Sequence, residues 1–272
     1  MLRSFQTSLN NARQIVILTG KSPCAGTSAE SGIPTFRGAG GLWRKYQATE
    51  LATPEAFVRD PSLVWEFYHW RREVVSRSKP NKAHFALAAL ERRCKEEGKK
   101  LTLITQNIDR LHQAAGSKSI IELHGSLWDV CRADRHGYRS EDQKPWEDRT
   151  QPLVPELQGQ GAPDVKHHAN IPFKKLPHDS QGHLLRPGVV WFGEGLDADV
   201  LGEAAEALQT CDLFITIGTS SVVYPAAGFA AQVAARGVPL AEVNLDTSEA
   251  TDICQDVFQG KAGEILPGLL DV

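Results

Sequence analysis

The sequence LTLITQNIDRLH, residues 101–112, joins a continuous apolar run rich in β-branched residues directly to a polar cluster. A continuous apolar run is typical of a strand that is buried on both faces of a parallel sheet. Similar short runs occupy residues 14–19, 120–123, 189–192, 213–218 and 240–244. Helical periodicity fills intervals at residues 61–76, 83–97, 197–210 and 225–236. This alternation predicts an α/β fold with a Rossmann-like, doubly wound parallel sheet of about six strands.

Two stretches do not follow the alternation. Residues 38–79 are aromatic and helical, and residues 127–186 are polar, rich in Pro, Gly and His, and without clear periodicity. A structureless loop of that length would be anomalous in a compact domain. We therefore predict a smaller module, formed by these two insertions, and a large part made of residues 1–37, 80–126 and 187–272.

Composition and charge exclude several classes of protein. The 272 residues include 30 basic and 33 acidic side chains, a net charge of −3, which argues against a nucleic-acid partner. No run of 18 apolar residues is present, so we expect no membrane span. The five scattered cysteines and the absence of an apolar core in the first eleven residues favour reduced thiols, in the mitochondrial matrix or the cytoplasm.

Each predicted strand ends in small or polar residues, which read ILTG, ITQNID, ELHG, WFGE, IGTSS and EVNLD in chain order. In an open parallel sheet ligands bind outside the carboxyl ends of the strands, so six such clusters favour a binding site over ordinary turns. The first turn, TGKSPCAGTSAESG, matches neither a Walker loop nor GxGxxG. Its glycines and Ser28 still offer backbone N–H groups to a pyrophosphate.

The stretches SAESGIPTFRG, TQNIDRLH, ELHGSL, GVVWFGE, IGTSS and VNLD together resemble the sirtuins, the NAD-dependent protein-lysine deacylases. The resemblance covers nearly the whole chain in the family's order. The helical stretch that contains VWEFYHWRRE is most similar to the class III, or sirtuin-five, branch, which prefers acidic acyl groups.

The resemblance implies that NAD binds in a crevice between the large part and the small module. It assigns the pyrophosphate, the reacting ribose, the nicotinamide and the adenosine to four groups of residues. These are, in that order, Gly20, Ala25, Gly26 and Ser28; Phe36 and Arg37; Gln106, Asn107, Ile108 and Asp109; and Gly218, Thr219, Ser220 and Asn244.

His124 corresponds to the family's catalytic histidine, which takes a proton relayed from a ribose hydroxyl. A side chain with a pKa near neutrality suits that step. The alternative for a lone strand-end histidine is a backbone hydrogen bond. Val190, Trp191 and Phe192 correspond to the segment that pairs with the substrate backbone as an added strand.

Tyr68 and Arg71 lie three residues apart on one predicted helix and therefore share a face. In class III sirtuins this pair binds the carboxylate of a succinyl or malonyl group, and Ala48 would leave room for the longer acyl chain. Arginine suits bidentate recognition of a carboxylate. The alternative is a solvated Arg71 beside Glu66 and Glu73, with Tyr68 as packing.

Two features depart from the family's pattern. Four residues, Lys21 to Cys24, are inserted between Gly20 and Ala25 in the first loop, and they either bulge harmlessly or block the pyrophosphate. Sirtuins usually hold a structural zinc with two Cys pairs, whereas residues 127–186 contain only Cys131. His136, His178 and His183 are the remaining weak candidates, so the polar part of the module reads as a degenerate zinc ribbon, and packing alone is the alternative to zinc.

The sequence therefore predicts an NAD-dependent deacylase that removes succinyl, malonyl or glutaryl groups from lysine and releases nicotinamide and O-acyl-ADP-ribose. Alternatives are a plain deacetylase or mono-ADP-ribosyl transferase, and a binding module for NAD or ADP-ribose in which the insertion prevents catalysis. We expect acyl-lysine proteins as partners and a monomeric chain.

Overall fold

The computed structural model describes residues 2–20, 26–34, 42–165 and 167–272. Its strands are β1 (Gln14–Thr19), β2 (Leu42–Trp43), β3 (Tyr46–Gln47), β4 (Lys100–Thr105), β5 (Ile120–Glu122), β6 (Gly125–Arg132), β7 (Trp146–Glu147), β8 (Leu185–Val189), β9 (Leu213–Ile217), β10 (Leu240–Asn244) and β11 (Asp256–Gln259). Its helices are α1 (Leu2–Asn11), α2 (Ala48–Leu51), α3 (Pro54–Arg59), α4 (Pro61–Arg77), α5 (Lys82–Glu96), α6 (Leu111–Ala115), α7 (Ala198–Thr210), α8 (Ala227–Ala234) and α9 (Ala262–Leu270). Within the described residues, no helix has the length and apolar character needed to cross a bilayer.

The chain divides into two compact units. Unit 1 comprises residues 1–35, 79–123 and 197–272, and unit 2 comprises residues 36–78 and 124–196. Residues 187–196, which the sequence assigned to the large part, belong to unit 2 because β8 pairs with β6.

Unit 1 contains a six-stranded sheet in the order β11-β10-β9-β1-β4-β5. All of its pairings are parallel, as the continuous apolar runs predicted. Ile15, Ile17, Leu103, Ile215 and Val243 project into one core cluster with residues of α1, α5 and α9. The predicted α/β fold is therefore confirmed.

One predicted member of this sheet was wrong. Only Val189 of the run at residues 189–192 lies in a strand, as the last residue of β8, and β8 pairs antiparallel with β6 in unit 2. The sixth strand is instead β11, an edge strand whose burial is only partial. An edge strand needs fewer apolar residues, so DVFQ carried too weak a signal to be recognised.

The predicted helices are present as α4, α5, α7 and α8, with bounds that differ by one or two residues. Local capping explains where several begin. Asp60 accepts from Leu63 N, Asn81 accepts from Ala83 N, and Asp197 accepts from Asp199 N. Gly98 and Gly237 take the left-handed conformation that closes α5 and α8.

Unit 2 combines the antiparallel sheet β7-β6-β8 with the hairpin β2-β3 and helices α2 to α4. Helix α4 is buried on most of its surface, and polar side chains connect it to the sheet. Trp65 Nε1 donates to Leu185 O (3.0 Å), and Arg72 Nε donates to Leu127 O (2.6 Å). Burial lowers the pKa of Arg72 to about 10, although the nearby Asp148 and Asp129 oppose that shift. These bonds connect the part of α4 that carries Tyr68 and Arg71 to strands β6 and β8.

Candidate functional site

The carboxyl ends of four parallel strands converge in unit 1. Gln106 Nε2, just beyond β4, donates to Thr219 Oγ1 beyond β9 (3.2 Å), and Asn244 Nδ2 at the end of β10 donates to Thr219 O (2.8 Å). Gly20 N, which follows β1, donates to Ile217 O (3.3 Å). Four of the six polar clusters therefore meet at this edge of the sheet, as a ligand-binding sheet edge requires.

Gly20 lies where no side chain fits. A Cβ built on it would come 2.7 Å from Gln106 Nε2 and 3.0 Å from the Thr219 side chain. Gly20 therefore lies directly against the polar side chains that follow β4 and β9, and we call this close contact the Gly20 cradle.

Ser28 is the centre of a buried polar cluster beside this cradle. Asn107 Nδ2 donates to Ser28 Oγ (3.2 Å), and His84 Nε2 lies 3.4 Å from the same oxygen. Asn81 N donates to His84 Nδ1 (3.2 Å), so the proton of the neutral ring is on Nε2. Asn107 Oδ1 is buried without a hydrogen-bond partner in the described part of the chain. A buried acceptor of this kind is available for a hydrogen bond from a water molecule or a ligand.

Two buried histidines lie behind Asn107. The ring centroids of His84 and His112 are 4.7 Å apart, and His112 Nε2 lies 3.1 Å from Thr19 Oγ1. Burial lowers the pKa of His84 to about 4, against the opposing charge of Asp109. Burial also holds the pKa of His112 well below its usual range, and His84 adds to the effect. Both rings are therefore neutral at pH 7.

These features fit NAD. The Asn107 acceptor suits the N–H of a carboxamide or the O–H of a ribose, and the absence of a side chain at Gly20 lets the chain after β1 lie close to Gln106 and Thr219. Among the other predicted cofactor residues, Ile108 and Asp109 follow β4, and Gly218 and Ser220 follow β9, whereas Gly26 lies further along the chain after β1. Asp109 Oδ1 accepts from Leu111 N. Ala25, Phe36 and Arg37 lie outside the described residues.

His124 lies in unit 2, at the turn between β5 and β6. Its carbonyl oxygen accepts from Val190 N (3.0 Å), which joins the ELHG and WFGE clusters. Phe192 N donates to Ala52 O (3.0 Å), and Trp191 N donates to Glu194 Oε2 (2.8 Å). The N–H groups of residues 190–192 are thus all engaged within the unit, so any added strand must pair through other groups of this segment.

Tyr68 and Arg71 lie together on α4 and both are buried. The guanidinium carbon of Arg71 is 5.3 Å from the centroid of the Tyr68 ring. Trp191 Nε1 donates to the Tyr68 hydroxyl (2.8 Å). Burial raises the pKa of Tyr68, although Arg71 and the bond from Trp191 oppose that shift. Ala48 is buried at the first position of α2.

Arg186 and Glu194 form a buried ion pair that fixes the Trp191 segment. Arg186 NH2 donates to Glu194 Oε2 (3.1 Å) and to Val189 O (2.7 Å), and NH1 donates to the other carboxylate oxygen. The Arg186 guanidinium carbon lies 3.5 Å from the Trp191 ring centroid. The pair therefore holds both the backbone and the indole ring of Trp191.

The zinc candidates do not form a site. Cys131 is buried against Pro187 O (3.9 Å), and burial raises its pKa to about 11. His178 Nδ1 lies 2.7 Å from Leu176 O, His183 Nδ1 lies 3.1 Å from Asp179 Oδ2, and Arg135 Nε donates to His136 Nε2 (2.9 Å). No group of three or more potential ligands occurs among the residues that the structure describes. The donor set of unit 2 therefore does not fit the family's four-ligand zinc.

Sequence reasoning missed His84 and Arg186. His84 falls on the apolar face of a helix, and its only signal was its position three residues after the capping Asn81. Arg186 stands in a polar stretch where an isolated arginine reads as solvent-exposed. Its partner Glu194 is eight residues away, a spacing that no local rule connects.

Comparisons with known proteins agree with this geometry. The Sir2 family model matches residues 24–225. A relative from Xenopus tropicalis, "NAD-dependent protein deacylase sirtuin-5, mitochondrial", is 51% identical over 98% of this chain and 84% of its own length. An "NAD-dependent protein deacylase" from Daphnia pulex is also 51% identical, over 98% of this chain and 95% of its own.

A crystal structure of a Sir2 homologue in complex with NAD superposes with a TM-score of 0.81. It is 42% identical and the match covers 99% of this chain and 92% of that one. The family model covers well over half of the chain, and the relatives share about half of its residues along nearly its whole length. The chain therefore belongs to the Sir2 family.

Proposed function

We propose that this chain is an NAD-dependent protein-lysine deacylase that removes acidic acyl groups, namely succinyl, malonyl or glutaryl. The observation that carries the acyl preference is the buried pair of Tyr68 and Arg71 on α4. The names of the Xenopus and Daphnia relatives support the deacylase activity itself.

A buried guanidinium beside a phenol is suited to a carboxylate. Arginine can donate two parallel hydrogen bonds to the two carboxylate oxygens, and tyrosine adds a third. Transfer of a charge from water into a protein is costly unless a partner of opposite charge meets it. A substrate whose acyl group ends in a methyl offers no carboxylate to Arg71, so the acidic acyl groups are favoured.

NAD, when bound, would supply an electrophilic ribose carbon and nicotinamide as the leaving group. Gly20 and Ser28 would lie against the pyrophosphate, and Asn107 and Asp109 would orient the nicotinamide half. His124 would take the proton of a ribose hydroxyl. The products are nicotinamide, the free lysine side chain and O-acyl-ADP-ribose.

The partners of the proposed enzyme are acyl-lysine proteins. The mitochondrial label of several relatives supports the first of the two expected compartments, the mitochondrial matrix, over the cytoplasm. The monomeric state and the lack of a nucleic-acid partner, argued from charge, remain predictions.

The test is mass-spectrometric turnover of peptides that differ only in a succinyl-, malonyl- or acetyl-lysine, with and without NAD. We expect NAD-dependent loss of the acidic groups, with acetyl removed more slowly. Arg71→Met should lower kcat/KM for the succinyl peptide by about 100-fold, since a charged hydrogen-bonded pair contributes about 2–3 kcal/mol.

His124→Ala is the control for chemistry, because it should abolish turnover of all three peptides. Acetyl-only turnover would refute the acyl preference and favour the plain deacetylase. Stabilisation by NAD or ADP-ribose without any turnover would favour the binding module, in which the insertion at residues 21–24 prevents catalysis.

A further inference from the structure

The hydroxyl of Tyr68 is constrained from one side by a residue 123 positions away. Trp191 Nε1 donates to it over 2.8 Å, and both side chains are almost completely buried. An indole nitrogen can only donate, whereas a phenol hydroxyl can donate or accept. With its acceptor side facing the indole N–H, the hydroxyl must point its own hydrogen elsewhere.

In the described part of the chain, the hydrogen bond from Trp191 is the only one that the Tyr68 hydroxyl makes, so no group there accepts the hydrogen of the hydroxyl. Burial also raises the pKa of Tyr68, so the phenol keeps its proton at neutral pH. The hydroxyl therefore keeps a hydrogen that it can donate on the side away from Trp191. The neighbouring guanidinium of Arg71 can likewise only donate.

Two side chains contact the indole ring of Trp191, and a third residue binds its backbone. The guanidinium of Arg186 stacks on one face with its carbon 3.5 Å from the ring centroid, and the Phe57 ring centroid is 5.5 Å away. Glu194 binds both Arg186 and the backbone N–H of Trp191. Rotation of the indole away from Tyr68 would disrupt the ring contacts with Arg186 and Phe57, which favour the orientation in which the N–H meets the hydroxyl.

We propose that Trp191 is a positioning residue for acyl selectivity: its indole N–H occupies the acceptor side of the Tyr68 hydroxyl, so that Tyr68 and Arg71 present donors only. A carboxylate, which only accepts, matches this arrangement. A carboxamide of the same shape does not, because its NH₂ group would face donors. The proposal rests on the proposed function, since it concerns how Tyr68 and Arg71 discriminate among acyl groups.

The test compares succinyl-lysine with succinamoyl-lysine, its neutral carboxamide analogue, and acetyl-lysine in the same peptide. Trp191→Phe keeps an aromatic ring for Arg186 and Phe57 but removes the N–H. We expect the succinyl-to-succinamoyl ratio of kcat/KM to fall about five- to thirty-fold, which corresponds to loss of one buried hydrogen bond. The succinyl-to-acetyl ratio should fall as well.

Tyr68→Phe is the matched variant. If Trp191 acts through the Tyr68 hydroxyl, Trp191→Phe should change the ratio no further in the Tyr68→Phe background. Equal loss for all three peptides, or effects that simply multiply in the double variant, would overturn the proposal. Absence of turnover by the wild-type protein would instead refute the proposed function, and the two failures are thereby distinguished.

A second measurement does not depend on turnover or on the folding of Trp191→Phe. In protein labelled with ¹⁵N at the indole nitrogens, Tyr68→Phe should move one tryptophan N–H resonance upfield, since the hydrogen bond that deshields it is lost. Binding of the succinyl peptide to the wild-type protein should shift the same resonance. Six unchanged indole signals in Tyr68→Phe would contradict the hydrogen bond on which the proposal depends.

Discussion

Replacement of Glu194 by glutamine tests the energetic role of the buried ion pair. The side chains of Arg186 and Glu194 are 0% and 4% exposed, so Glu194→Gln leaves a guanidinium buried without its counter-charge. Removal of one partner from a buried pair costs about 3–5 kcal/mol. Glutamine keeps one acceptor for Arg186 or for Trp191 N, so we expect a loss near the lower limit, about 3 kcal/mol.

Tryptophan fluorescence during urea unfolding isolates this effect, because all six tryptophans lie in unit 2. With a slope of about 2 kcal/mol per molar urea, the transition midpoint should fall by about 1.5 M. Arg186→Met in the Glu194→Gln background is the control. Since neither charge is then buried alone, the double variant should be more stable than the sum of the single losses predicts, by about 1–3 kcal/mol. A loss below about 1 kcal/mol for Glu194→Gln would refute the reasoning.

Three further predictions concern unit 1. Because the pKa of His84 is lowered to about 4, the unfolded chain binds more protons than the folded chain between about pH 6.5 and 4. The free energy of unfolding should therefore fall as the pH drops through that window, by up to about 3 kcal/mol. In urea unfolding at several pH values, His84→Gln should show a flatter dependence of this free energy on pH. Gly20→Ala should reduce the rise in Tm that NAD causes, because the added Cβ would displace Gln106 from Thr219. An equal rise in Tm in both proteins would contradict a role of the Gly20 cradle in NAD binding. Deletion of residues 21–24 would make the existing hydrogen bond from Thr27 N to Gly20 O the i to i+3 bond of a β-turn. We therefore expect the shortened protein to fold and still to release nicotinamide. Loss of nicotinamide release would mean that the enzyme needs the insertion.

Much of unit 1 was predictable because its signals are local. The apolar runs of β1, β4, β9 and β10 and the caps of α4, α5 and α7 each depend on residues within one element. The polar clusters that follow these strands were also predicted to meet, because parallel strands bring their carboxyl ends to one edge. The prediction failed for β8, since a short apolar run has the same appearance in a parallel and in an antiparallel strand.

The sequence by itself determined the fold class, the family resemblance and the residue types at the candidate site. Only the tertiary structure decided how those residues are paired. Trp191 meets Tyr68 across 123 positions, and Asn107 meets Ser28 across 79. Such pairs depend on which elements pack together, and a hydrogen bond between buried partners leaves no periodic trace in the chain. Which side of the Tyr68 hydroxyl accepts a hydrogen bond and which side can donate one is therefore decided by the packing of unit 2 and not by any local stretch of sequence.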